Sequence, residues 1–364
     1  MSKPPSVLIC GSIRDGGALA GELQTYFRWR SEGLIDRLVF SGWLSDRADG
    51  NIDLMVRNGV EVVLSHQPVI RGPGHIFHQI KNFHFGLQAF ADDEIVLRCR
   101  TDKTAPIYAI DGLTRRFHDA PPPGAAAPFG KRLMLQAALP LQPFFFNDMA
   151  FMGLAGDLRR LVSFDIWWEI EHAVLNPEQI FHLPPYRHSA PATHVFGRVN
   201  PGLEHRDPAL SVEIYRFLLT QDLYLRAVAE GLAALEAGYW FGWDRDRPAD
   251  MPEAASIAGL LDLPLQSSGS TLWMQANSNM PGLNHSEAVT ALLDMPISEA
   301  DARTPRSFLS LDAGVPEAEL GRLARNLIEG FAQRFPGRHN APVFPHDEGG
   351  LRVIPPRVQS VAAG

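Results

Sequence analysis

Arg98, Arg100 and Asp102 alternate with Cys99 and Thr101 in LRCRTDK, Leu97 to Lys103, directly behind an apolar run. In an extended chain the side-chain period is two, so the three charges share one face. Guanidinium groups pair bidentately with phosphate oxygens, and a carboxylate beside them holds a sugar hydroxyl or a divalent cation. These residue types fit a phosphorylated ligand. They also fit an Arg/Asp ion-pair ladder on an edge strand, and the two alternatives stand together at this point. Position favours a ligand, because open α/β sheets bind ligands outside the carboxyl ends of their strands.

Other candidates cluster in five segments. CGSIRDGG, Cys10 to Gly17, follows the first apolar run, so that Gly11, Ser12 and Arg14 stand between a strand end and a helix amino terminus, where phosphates or a ribose can be received. GHIFHQIKNFHFGL carries His75, His78, Gln79, Lys81, Asn82 and His84 on one helix. His75 and His78 are spaced for a metal pair, but no carboxylate or cysteine follows at helical spacing, so this polar face suits hydroxyls, phosphates or solvent better than a metal. Asp148 lies with Asn147 inside the apolar run Phe144 to Leu158. Burying a carboxylate costs on the order of several kcal/mol unless it is paired, so Asp148 is a candidate general base or ligand anchor, with a loop cap as the alternative. Further on, Trp167 and Trp168 stand among Asp165, Glu169 and Glu171 as a sugar platform or as core. Glu178 opens a short helix, either as a functional carboxylate or as a favourable charge at a helix amino terminus.

Several chemistries find no support. The GxGxxG spacing of dinucleotide binders is missing after the first strand. In GAAAPFGKR five residues separate Gly124 from Gly130, and Arg132 stands where a phosphate loop needs Ser or Thr. Neither HExxH nor GxSxG occurs. Cys10 and Cys99, the two cysteines, both fall in apolar strands and read as buried free thiols.

The elements that must position these residues alternate in type. Val7 to Cys10, Leu38 to Phe40, Val60 to Leu64 and Glu94 to Arg100 read as strands; Gly16 to Arg30, Ile52 to Asn58 and His75 to Phe90 read as amphipathic helices between them. Such alternation predicts a mostly parallel Rossmann-type α/β sheet flanked by helices. APPPGAAAPFG, Ala120 to Gly130, is a loop. A strand pair or one bent strand is expected over Phe144 to Phe146 and Met149 to Gly153, then a helix over Gly156 to Phe164 and a long one over Ser211 to Ala237. Residues 1–183 form the expected ligand-binding region, 184–354 a mainly helical extension packing on it, and 355–364 a tail.

The chain has 364 residues, 45% hydrophobic, with a net charge of −8 and a pI near 5.9. That balance excludes a general nucleic-acid surface, so an anion site has to be local. With no positively charged segment and apolar signal core before the first strand, and no apolar run near the roughly 20 residues of a membrane span, a cytoplasmic protein is expected, with room for peripheral membrane contact.

VLICGSIR, FSGW, HQIKNFHFGL, LRCRTDK, NDMAFMGLAGDLRRL and PEQ occur in this order between Val7 and Phe181. Together they resemble the WavE lipopolysaccharide-synthesis family of bacterial glycosyltransferases. In that family a strand ending in basic-x-Arg-Thr-Asp follows a Gln-bearing helix and precedes an Asp-x-x-x-x-Gly strand. The resemblance implies a GT-A-type fold and sugar transfer from a nucleotide-sugar donor to a polysaccharide or lipopolysaccharide acceptor. It places Gly11, Ser12, Arg14 and Gln79 on the nucleotide, Arg98, Arg100 and Asp102 at the diphosphate and sugar, and Asp148 and Glu178 on the acceptor side. One departure stands out: the Asp-x-Asp metal motif of the wider GT-A pattern would need an acid where Arg100 stands. Mn²⁺ or Mg²⁺ therefore becomes an open expectation, with Asp102 as its ligand, helped by His339 or His346. Two alternatives remain, a nucleotidyltransferase acting on a sugar phosphate and a non-catalytic glycan-binding or assembly protein.

Overall fold

Strands of a sheet covered on both faces must be apolar throughout. Ser6–Cys10 (β1) and Leu38–Trp43 (β2) are buried at every position, and Ile95–Arg100 (β4) at its four central ones. Glu61–Ser65 (β3) is more exposed, as an edge strand can be. The computed structural model describes residues 3–14, 16–68, 76–102, 110, 112–135, 143–144, 146, 150–162, 177–186, 217–218, 221–240 and 317–335. With Leu133–Leu135 (β5), Phe151–Leu154 (β6) and Tyr239–Trp240 (β7), the strands form one seven-stranded sheet in the order β3-β2-β1-β4-β6-β5-β7. All neighbours are parallel except those of β6, which runs against both β4 and β5. This is the expected α/β class.

The strand order reverses direction at β1. The connection from β3 passes through Ile76–Leu87 (α3) and brings β4 to the free side of β1, with Leu8 opposite Arg98 and Cys10 opposite Arg100. Crevices at such switch points are the ligand sites of open α/β sheets.

Helices cover both faces. Gly16–Ser31 (α1) buries Leu19, Leu23 and Tyr26, spaced by four and three residues so that they form one stripe. With Gly50–Arg57 (α2) and Leu113–Asp119 (α4) it packs on Val7, Ile9, Leu97 and Cys99. The Asp49 carboxylate starts α2 by accepting the Asn51 amide. On the opposite face α3, Ala155–Leu161 (α5), Pro177–His182 (α6), Asp222–Gly238 (α7) and Glu317–Arg334 (α8) contribute to a core around Leu8, Val96 and Phe151. Each fully buried Leu or Phe contributes about 2 kcal/mol of apolar burial. Residues beyond 183 thus supply β7 and part of this core, through Leu235, Tyr239 and Phe331 among others.

Three departures from the sequence expectation have local causes. β2 continues through Ser41, Gly42 and Trp43 because β3 pairs with all three, and β1 with Ser41. Phe144 takes a positive φ of 57°, which ends any regular strand there, and the strand begins at Phe151 instead. α4, β5 and β7 were not expected; β5 and β7 have three and two residues, too few to show a period. Arg132 joins these short pieces, donating from Nε to the Pro122 carbonyl and from Nη1 to the Tyr239 carbonyl, each at 3.0 Å. Among the described residues, no helix is long and apolar enough to cross a membrane.

Candidate functional site

At the carboxyl end of β1 the chain must turn while staying against β4. Gly11 makes this possible: its φ is 139°, and a Cβ there would lie 2.4 Å from Thr101 Oγ1. The amide of Gly11 donates to the Ser41 carbonyl at 3.1 Å, and that of Thr101 to the Cys10 carbonyl at 3.2 Å. Thr101 Oγ1 donates to the Ser12 carbonyl at 2.8 Å. Ser12 Oγ in turn accepts the indole N–H of Trp43 at 2.8 Å. The loops after β1 and β4 and the end of β2 are therefore laced into one rim.

Behind this rim lies a small cleft of about 70 Å³, partly open to solvent. β1 and its loop supply Cys10, Gly11, Ser12 and Arg14, and β4 and its turn supply Arg98, Arg100, Thr101 and Asp102. Trp43 from β2 and His78, Gln79 and Asn82 from α3 complete the lining. Gly86 lets α3 come this close to the sheet, since a Cβ there would meet Leu8 Cδ1 at 2.5 Å and Ser41 Cβ at 3.0 Å.

The two arginines expected to act together do different things. Arg98 is fully buried. Its guanidinium donates to Gln79 Oε1 at 3.2 Å and lies 4.9, 5.3 and 5.8 Å from the ring centroids of Phe181, Phe151 and Phe83. The faces of aromatic rings attract a cation, each by about 0.5–2 kcal/mol, and so offset part of the lost hydration. Arg98 is a fixed positive charge in the cleft wall. Arg100 is half-buried and forms a two-point pair with Asp102, Nε to Oδ1 at 2.9 Å and Nη2 to Oδ2 at 2.8 Å. The exposed Arg14 reaches the same carboxylate, Nη1 to Oδ2 at 3.9 Å. The ion-pair ladder and the anion site thus coincide: a carboxylate occupies the guanidinium edge that a phosphate would take.

Gly11, Ser12, Arg14, Gln79, Arg98, Arg100 and Asp102 all line this one cleft. Asp148 lies outside the described residues, as do His75, Trp167, Trp168, His339 and His346. Glu178 sits near the start of α6, but its side chain also falls outside the described part. Lys81 and His84 do not line the cleft; Lys81 lies over the Phe85 ring at 5.9 Å. Trp43 and Thr101 were missed. Their signal was the continuation of both strands past their apolar cores, in FSGW and RTD.

Among the described residues, Mn²⁺ or Mg²⁺ finds a poor fit at Asp102. Both oxygens of Asp102 accept from Arg100, so a cation would have to displace a guanidinium. Among the described residues, no group of three or more His, Cys, Asp or Glu side chains is placed to hold a metal. Cys10 lines the cleft, yet burial pushes its thiol up to about 12 against the pull of Arg98, leaving it protonated at neutral pH. It is no thiolate nucleophile.

No family model matches the chain, and no curated protein matches it. Among solved structures, the crystal structure of 4-diphosphocytidyl-2C-methyl-D-erythritol synthase is similar with 14% identity and a TM-score of 0.30, covering 50% of this chain and 84% of that one. So low a score leaves the chemistry of the cleft to be judged from its own residues.

Proposed function

We propose that the protein is a glycosyltransferase that moves a sugar from a nucleotide-sugar donor to a cell-surface polysaccharide or lipopolysaccharide, working in the cytoplasm beside the inner membrane. The observation that carries this is the position of Arg14, Arg100 and Asp102 at the switch point between β1 and β4, with the buried charge of Arg98 behind them. A diphosphate entering there competes with Asp102 for the edge of Arg100, and the carboxylate it displaces turns to a sugar hydroxyl. The ordered resemblance to the WavE family supports the same assignment, with GT-A-type sugar transfer as its content.

In the reaction an acceptor hydroxyl attacks the anomeric carbon while the bond from that carbon to the donor phosphate oxygen breaks. The hydroxyl proton passes to Asp148 or Glu178. Negative charge grows on the departing diphosphate, and Arg100 and Arg14 stabilise it by charge-assisted hydrogen bonds. Guanidinium groups take the part a divalent cation plays elsewhere, and no step runs through Asp102 as a metal ligand.

A thermal-shift screen against nucleoside diphosphates and nucleotide sugars tests the assignment, because a ligand that binds the folded state raises its melting temperature. Nucleotide sugars are expected to stabilise the protein and to release nucleoside diphosphate on turnover. Asp102→Asn should lose turnover at an unchanged melting temperature. Pyrophosphate release from a nucleoside triphosphate and a sugar phosphate would show nucleotidyl transfer instead, and no shift with any nucleotide would remove the assignment.

A further inference from the structure

We infer that Asn82 is a specificity-determining residue of the cleft, whose carboxamide takes an adjacent pair of sugar hydroxyls. Asn82 lines the cleft from α3 yet is only 1% exposed, and neither Oδ1 nor Nδ2 has a hydrogen-bond partner. Its backbone carbonyl is satisfied, accepting from Ser41 Oγ at 2.7 Å, so the side chain is held in place without being used. A buried amide with both polar atoms unmade is a costly arrangement, and native proteins keep few of them. The cost has a reason where a ligand completes the bonds.

The chemistry of the partner follows from the amide. Asn offers an acceptor and a two-proton donor side by side, so its complement presents a donor and an acceptor at neighbouring atoms. Vicinal hydroxyls do this, each able to give to the carbonyl or receive from the amino group. A nucleobase edge also does, but bases are commonly held by stacking on an aromatic face as well. Trp43, the one indole among the described lining residues, is fully buried, with its N–H used by Ser12 and its ring edge-to-face with His78 at 5.2 Å. One turn before Asn82, Gln79 already serves Arg98. Of the two α3 amides that line the cleft, Asn82 is thus the one left to read hydroxyls.

This assignment rests on the nucleotide-sugar function proposed above. Two sugars on such a ligand carry hydroxyl pairs, the ribose and the transferred sugar, and three probes tell them apart: uridine diphosphate, its 2′,3′-dideoxy analogue and uridine diphosphate glucose, with the guanosine set run alongside. Binding is measured by calorimetry on the full chain and on Asn82→Leu, which keeps the volume and removes the amide. The melting temperature of ligand-free Asn82→Leu is expected to rise, since two unsatisfied polar atoms leave the core. If ribose is read, the variant binds the diphosphate at least about tenfold more weakly and the dideoxy analogue unchanged. If the transferred sugar is read, only binding of the sugar conjugate weakens, by a similar factor. Equal binding of every probe by wild type and Asn82→Leu would overturn the role of Asn82 while leaving the nucleotide-sugar function standing. Failure of the wild type to bind any probe would overturn both.

Discussion

Arg98 and Arg100 are two residues apart on one face of β4, yet one is enclosed by phenylalanines and the other reaches a carboxylate in the turn. Spacing shows which residues share a face; it does not show which of them the rest of the chain will cover. The rings around Arg98 come from α3, β6 and α6, elements up to 83 positions away in sequence, from Arg98 to Phe181. The two cysteines were easier, because a small thiol in an apolar strand is buried whatever its neighbours. Their burial has a consequence in alkali. In the unfolded chain both thiols ionise around the ordinary value of 9.0, whereas in the folded protein burial pushes each up to about 12. Between those values the unfolded state sheds protons that the folded state keeps, so stability is intact below the lower value and falls as pH rises toward the upper. Urea melts at increasing alkaline pH should show a falling midpoint that Cys10→Ala and Cys99→Ala together flatten. A midpoint with the same slope in the double variant would show that other groups carry the effect.

At the scale of elements, the parallel half of the sheet was legible because each strand is a bounded apolar run and each connection an amphipathic helix. β5 and β7 were not, since two or three residues gain their strand character from the neighbours they pair with rather than from a pattern of their own. The cleft divides in the same way. Its β1 and β4 rims could be read from charges at strand ends, whereas the α3 wall depends on how closely that helix approaches. Gly86 sets that approach. Gly86→Ala introduces a methyl group against fully buried Leu8 and should cost about 1–3 kcal/mol through overpacking. The same shift of α3 should weaken nucleotide binding, since Gln79 and Asn82 move with it. Thermal melts with and without nucleotide check both, and an unchanged melting temperature would show that α3 has more room than its contacts indicate.

Over the whole molecule, a net charge of −8 surrounds a cleft that gathers three arginines. On the proposed function an anionic ligand would be drawn to that cleft by local charge, with a pull that weakens as salt screens it. β7 adds the last strand of the sheet, and α7 and α8 complete one core, so the fold draws on residues from both halves of the chain. The proposed function turns on one side chain, Arg100, which would trade the Asp102 carboxylate for a ligand phosphate. Calorimetric titration of nucleoside diphosphates into wild type and Arg100→Ala, at low and moderate salt, tests that exchange most directly. The expected result is salt-sensitive binding to the wild type that weakens at least about tenfold in the variant, with the melting temperature of the free protein little changed. Equal affinity in the two proteins would contradict the account.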